Sequence, residues 1–109
     1  MQSLLAIADP TRRRIVELLA ERDRTSGELV KEFDVSAPAI SQHLNVLREA
    51  GLVTTRAEGQ TRIQMLNPKG LDELDVWLHR TRQFWSQRLD ALERELNADD
   101  ERNKRKNKP

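Results

Sequence analysis

Pro38, Gln42, Asn45 and Glu49 follow one another at helical spacing in the stretch SAPAISQHLNVLREAG, Ser36 to Gly51, and so share one face of a helix. Ser41 and Arg48 flank that face on one side and Val46 on the other, while Ile40, Leu44 and Leu47 make the opposite, aliphatic stripe. The exposed side near the helix start, with Ala37 and Ala39, is small and rich in hydrogen-bonding groups. A major groove about 12 Å wide admits such a helix: Gln can pair with an adenine edge, Ser is versatile, and small apolar atoms meet the thymine methyl. The competing reading is an ordinary solvent-facing helix. His43 lies beside the inner stripe, where it is either an edge-of-core histidine hydrogen-bonded locally or a contact to a phosphate or base.

Other chemistry finds little support. The two histidines, His43 and His79, sit in different elements, the carboxylates are scattered over helix faces, and no glycine-rich phosphate loop or nucleophile elbow is present, so an enzyme is not expected. The chain has no cysteine, which excludes disulfides, thiolate metal sites and a cysteine nucleophile. His79 and Asp75, four residues apart, are a surface pair rather than a metal site, and no cofactor is expected. Basic side chains offer a second kind of contact. Arg56, Gln60, Thr61 and Arg62 cluster near Gly59 and could grip phosphates or enter a minor groove. The run Arg12, Arg13, Arg14 reads as a solvated face whose stems cover apolar surface, with direct phosphate contact as the alternative.

These residues need elements to hold them. Met1 to Ala8 forms a first short helix, and Asp9-Pro10 is an N-cap and N1 pair that opens a second, to about Glu21, burying Ile15, Leu18 and Leu19. Thr25 or Ser26 caps a third helix whose apolar side is Leu29, Val30 and Phe33. Ser36 caps the fourth, and Gly51 ends it at C′. Helices three and four, joined by a tight turn, are a helix-turn-helix. Beyond Gly51, LVTTRA and TRIQML alternate apolar with polar around Glu58-Gly59, which predicts a β-hairpin. Asn67-Pro68 opens the longest helix, to about Asn97. The expected fold is mainly α with a small β-hairpin wing: a winged helix-turn-helix of order α1-α2-α3-α4-hairpin-α5.

Along the last helix Leu71, Leu74, Leu78, Trp85, Leu89, Leu92 and Leu96 recur at helical spacing, flanked by Trp77 and Phe84. A stripe of that length exceeds what a small core can cover, and a second copy about a two-fold axis is the expected partner. The chain of 109 residues suits one domain, with a largely aliphatic core because only four residues are aromatic. We expect residues 1–97 to form the DNA-binding and dimerisation domain and 98–109 a disordered basic tail. The net charge of +1 hides an asymmetry: ERNKRKNKP, 101–109, holds five basic residues against one acidic, whereas 70–100 sums to −4. Bulk charge therefore does not argue for nucleic acid, and placed residues must. No segment has the apolar length of a membrane span and the amino terminus is too weakly apolar for a signal peptide, so a cytoplasmic protein is expected.

IADPTRRRIVELLAE, followed by SGELVKEFDVSAPAISQHLNVLREAGLV, closely resembles the ArsR/SmtB family of winged-helix transcriptional regulators, and the resemblance runs from about Leu4 to Leu96. It implies a homodimer built on the first and last helices, placing Leu4, Leu5, Ala8, Leu74, Leu78, Trp85, Leu89 and Leu92 at the seam. It also implies that the fourth helix enters the major groove with Ala37, Pro38, Ala39, Ser41, Gln42 and His43, and that the wing lies on the flanking backbone. The last helix resembles the branch with a C-terminal aromatic and leucine stripe, whose members generally lack metal-sensing sites. ELVKEFDV stands where metal sensors carry paired cysteines, and His79 is the sole histidine of the last helix.

The expected function is a sequence-specific repressor acting as a homodimer on an inverted-repeat DNA operator, with its own promoter as a candidate site. A small-molecule inducer is left open: Trp77, Phe84, Trp85, Met65 and the leucines of the first helix suit a pocket lining, and suit plain interface core better. The alternative function is a winged-helix protein-interaction module without specific DNA binding, whose acidic stretch 70–100 would meet a basic partner.

Overall fold

The computed structural model describes residues 2–106, with side chains from 2 to 103. It divides into two units at Leu74/Asp75. In the first, α1 (Gln2–Ala8), α2 (Pro10–Glu21), β1 (Arg24–Thr25), α3 (Ser26–Lys31), α4 (Ala37–Glu49), β2 (Val53–Glu58) and β3 (Thr61–Leu66) precede the start of α5 (Pro68–Lys106). The core is aliphatic: Ile15, Leu18 and Leu19 of α2, Leu29 of α3, Ile40, Leu44 and Leu47 of α4, and Leu52 and Val53 beyond it are all buried.

Local signals place the helices. The Asp9 carboxylate accepts from the Arg12 amide at 3.0 Å, and Pro10 fills N1, where no amide hydrogen is needed. Thr25 and Glu28 form a reciprocal capping box at 3.1 and 3.2 Å. Ser36 accepts from Ala39. At the far end of α4, the Leu52 amide donates to the Leu47 carbonyl at 2.9 Å and the Gly51 amide to Arg48 at 3.0 Å, a Schellman pair that needs the left-handed φ of +79° found at Gly51. Helix α3 stops at Lys31, so Phe33, expected on that helix, packs on the core from the turn beyond it.

The hairpin pairs β2 with β3 from Val53↔Leu66 to Glu58↔Thr61 across the two-residue loop Gly59-Gln60. Gly59 takes φ +63° and Gln60 does not share the positive φ, the pattern of a type II′ turn. A third strand, absent from the sequence reading, completes the sheet in the order β1-β3-β2, with Arg24↔Gln64 and Thr25↔Ile63. Two residues carry no periodicity, and tertiary pairing alone makes them a strand. Arg24 is buried because its Nε donates to the Leu18 carbonyl at 3.2 Å and its guanidinium meets Glu21 at 2.7 Å.

Helix α5 starts against the end of α4. Asn67 donates from Nδ2 to the Gly51 carbonyl at 2.9 Å, and its Oδ1 accepts from the Lys69 amide. A Cβ on Gly70 would stand 1.9 Å from the Gly51 oxygen, so this close approach requires glycine. It carries Leu74, expected at a dimer seam, into the intrachain core at 7 % exposure. Leu4 also packs against that core, whereas Leu5 is 71 % exposed and Ala8 is exposed.

In the second unit α5 continues from Asp75 to Lys106, nine residues past the expected end at Asn97. The stretch 98–106 holds no glycine or proline, and Asp99 pairs with Arg102 one turn on. Residues 98–106, expected as a basic tail, continue α5, and residues 107–109 of that tail lie outside the described part. Leu78, Trp85, Leu89, Leu92 and Leu96 are each exposed. The Phe84 and Trp85 rings meet edge to face at 5.7 Å, and the Arg88 guanidinium lies 4.3 Å over Phe84. No helix among the described residues is long and apolar enough to cross a membrane.

Candidate nucleic-acid interface

Helix α4 turns its aliphatic stripe inward and leaves Ala37, Pro38, Ser41, Gln42 and Asn45 exposed, with Ala39 half-buried. At the tip of the wing Arg56, Gln60, Thr61 and Arg62 are all exposed. An open cleft of ≈ 580 Å³ joins the two, lined by Ser41 of α4, Gln60, Thr61 and Arg62 of the wing, and Thr25, Ser26 and Gly27 at the start of α3. Thus Ser41, Gln60, Thr61 and Arg62 come together on one concavity. Arg56 stands apart, turned toward Glu58 at 3.6 Å.

A polar relay that the sequence reading missed holds α4 and the wing in register. Arg48 donates to the Asn45 side-chain oxygen at 2.6 Å and to the Thr55 hydroxyl at 3.0 Å. Thr55 donates to Gln64 Oε1 at 2.7 Å, and Gln64 Nε2 donates to the Ser26 hydroxyl at 3.0 Å. Gln64 is only 1 % exposed, and both ends of its amide are satisfied, which makes its burial affordable. The chain of bonds runs from the last turn of α4, through β2 and β3, to the cap region of α3. Arg48 and Asn45, expected to touch DNA, are engaged with each other. Gln64 hid in an alternating strand, where a polar residue reads as outward.

His43 is half-buried and faces Arg12, whose Nη1 lies 3.3 Å from Nδ1 while its Nε donates to the Ala6 carbonyl at 2.7 Å. Arginine can only donate, so in this contact Nδ1 is the acceptor. Arg12 thereby ties α1 and α2 to α4. Arg13 and Arg14 are exposed, the latter paired with Glu17 at 3.2 Å. The Asp9 carboxyl is held below its ordinary range, chiefly by the Arg12 amide hydrogen bond and further by the Arg12 charge. A smaller hollow of ≈ 200 Å³ opens among Gln2, Leu5, Ala6, Arg12, Val46, Glu49 and Ala50. No group of three His, Cys, Asp or Glu side chains converges as metal ligands would among the described residues.

The arrangement of a helix with an exposed polar start beside a two-stranded wing has close counterparts. Residues 9–55 match the family described as bacterial regulatory protein, arsR family. The chain is 48% identical over 84 residues to the HTH-type transcriptional regulator Rv2034 of Mycobacterium tuberculosis, covering 77% of this chain and 76% of that one. It is 40% identical over 73 residues to the transcriptional repressor SdpR of Bacillus subtilis, covering 67% and 81%. Among solved structures, one described as a possible transcriptional regulator for arsenical resistance superposes with a TM-score of 0.70 at 44% identity, covering 74% of this chain and 84% of that one.

Proposed function

The chain belongs to the arsR family of DNA-binding bacterial transcriptional regulators, and on that premise we propose that it is a repressor that binds an inverted-repeat operator as a homodimer and excludes polymerase. One observation carries the reading: the exposed start of α4 and the wing tip open onto the same cleft. Ala37, Pro38, Ala39, Ser41 and Gln42 meet base edges. Gln60, Thr61 and Arg62, with Arg56, take the flanking phosphates or minor groove. Arg48 and Asn45 face the same duplex from the relay, and His43 contacts it from the edge of the helix. Residues 1–97 suffice for both binding and dimerisation, through a seam that includes Leu5 and Ala8 of α1 and Leu78, Trp85, Leu89 and Leu92 of α5. Two copies present their α4 helices about one turn of DNA apart, roughly 34 Å. The regulator acts in the cytoplasm and does not sense metal, since ELVKEFDV brings no cysteine to α3.

The test is binding of the purified protein to DNA upstream of its own coding region, against a scrambled duplex, at two salt concentrations. Protection of one inverted repeat that survives competition and weakens steeply with salt is the expected result, because displaced counterions make phosphate contacts salt-dependent. Equal, weak binding to both duplexes, there and at other candidate promoters, overturns base reading and favours the protein-interaction module.

A further inference from the structure

Helix α4 carries the candidate reading face, yet few polar contacts hold it to the elements behind it. Among the described residues, its side chains form hydrogen bonds to other elements at two places: Arg48 to Thr55 in the last turn, and His43 with Arg12 at the middle. The buried stripe Ile40, Leu44 and Leu47 sets which side of α4 faces inward, but apolar contact is non-directional. Arg12 is more exacting. Its Nε donates to the Ala6 carbonyl of α1 at 2.7 Å while Nη1 lies 3.3 Å from His43 Nδ1, so one planar fork spans from α1 to α4. Among the described residues the Arg12 guanidinium forms no ion pair, and both of these partners are acceptors. His43 directly follows Ser41 and Gln42, the exposed polar pair of the reading face.

We propose that Arg12 is a positioning residue for operator recognition: through the neutral His43 ring it holds the first half of α4 on α1, and preference for the operator over other DNA falls when that ring takes up a proton. The proposal rests on the operator reading above. A protonated Nδ1 carries a hydrogen and cannot accept, and two cations would then face each other at 3.3 Å. The charged groups that face the ring are Arg12 from α2 and the Asp9 carboxylate at the cap of that helix. Helix α1 has no charged residue, and α4 has no other titratable one between Ala37 and Leu47. Among the described residues α3 and β2 bring neither an ion pair nor a hydrogen bond to His43, and Asp9 forms no ion pair with it.

The hollow of ≈ 200 Å³ that Arg12 borders gives the guanidinium room to turn away, with Glu49 on its wall. Release leaves the first half of α4 on aliphatic contacts alone. Base edges are read by donors and acceptors held in register, so loss of position costs specificity first. Phosphate contacts carry no sequence information and survive it. The operator therefore selects the bridged, neutral form, and acid opposes its binding. A charged contact of His43 with phosphate acts in the opposite sense, since protonation then strengthens binding to any duplex.

The test measures affinity for the operator and for a scrambled duplex at constant salt from about pH 8 to about pH 5.5, across the range where histidines titrate. Circular dichroism confirms the fold at each pH. The ratio of the two affinities is expected to fall about tenfold toward the acid end, the worth of one hydrogen bond to a charged group. His43→Gln, neutral throughout and still an acceptor for Arg12, is expected to keep the ratio at the alkaline end and lose its pH dependence. His79→Gln, on α5, is expected to keep the wild-type profile. Arg12→Lys retains the charge but not the fork; it is expected to lower the ratio about tenfold at the alkaline end, with scrambled-duplex binding unchanged and a flat profile. A ratio that rises on acidification, or a pH dependence that survives His43→Gln or disappears with His79→Gln, overturns the proposal. An unchanged ratio in Arg12→Lys, or equal loss on both duplexes, overturns it as well, the latter making Arg12 a phosphate contact. The wild-type profile needs no variant and decides the matter if Arg12→Lys does not fold. Absence of any preference at the alkaline end removes the operator reading itself, whereas a preference indifferent to pH removes only the bridge.

Discussion

Replacing Gln64 by Leu tests whether the buried relay fixes the wing against α4. The substitution nearly conserves volume but removes two hydrogen bonds, from Thr55 at 2.7 Å and to Ser26 at 3.0 Å. At about 1 kcal/mol net for each bond, the loss is about 2 kcal/mol, of which extra apolar burial in a site 1 % exposed returns roughly half. The expected net cost is therefore about 1 kcal/mol, a fall of roughly 0.5–1 M in the urea midpoint with unchanged slope. Protomer concentration must be held constant, because dimerisation contributes to apparent stability. Thr55→Val interrupts the same relay at its other member, so the double variant should cost less than the sum of the two singles. Because the relay positions α4 relative to the wing, Gln64→Leu should also weaken operator binding more than binding to random DNA. A midpoint equal to or above the wild type's, together with additive single effects, would refute a relay that acts as a unit.

Gly70→Ala should destabilise the protein by about 1–3 kcal/mol, seen as a lower Tm, since the added Cβ meets a backbone oxygen that cannot yield cheaply; an unchanged Tm rejects the close approach of α5 to Gly51. Asp9→Ala should cost about 1 kcal/mol at neutral pH through loss of the α2 cap. Because the folded Asp9 carboxyl titrates below its ordinary range, its contribution is present above about pH 4 and disappears as pH falls through the lowered value. Acid titrations of wild type and Asp9→Ala should therefore converge at low pH, and parallel curves would contradict the assignment. Gln42→Ala should lose about 1–3 kcal/mol on the operator and less on random DNA if it reads a base. An equal loss on both makes Gln42 a phosphate contact.

Much of the first unit was legible because its signals are local. Asp9-Pro10, Ser36, Gly51 and Asn67-Pro68 mark their boundaries within one helical turn, and Gly59 marks the hairpin loop. The stripes Ile15, Leu18, Leu19 and Ile40, Leu44, Leu47 repeat at helical spacing and are buried as that spacing requires. The end of α5 was misjudged because its polar last turns carry no apolar period, only an absence of helix breakers. For the candidate site, the exposed face of α4 followed from the helical wheel, whereas the cleft it shares with the wing did not.

By itself, then, the sequence determined where α2, α4 and α5 start, where α4 stops, which stripe of each helix turns inward, and that the long last helix carries more apolar surface than its own chain covers. Tertiary structure alone decided the roles that depend on distant partners. Strand β1 exists because β3 pairs with it, Leu74 is core because Gly70 lets α5 approach Gly51, and His43 meets an arginine 31 residues away. Gln64 can be buried only because Ser26, 38 residues distant, and Thr55 satisfy its two polar ends. Caps and periodicities are interactions between near neighbours along the chain and can be read there, whereas the desolvation of a polar side chain is balanced by whichever groups folding brings beside it.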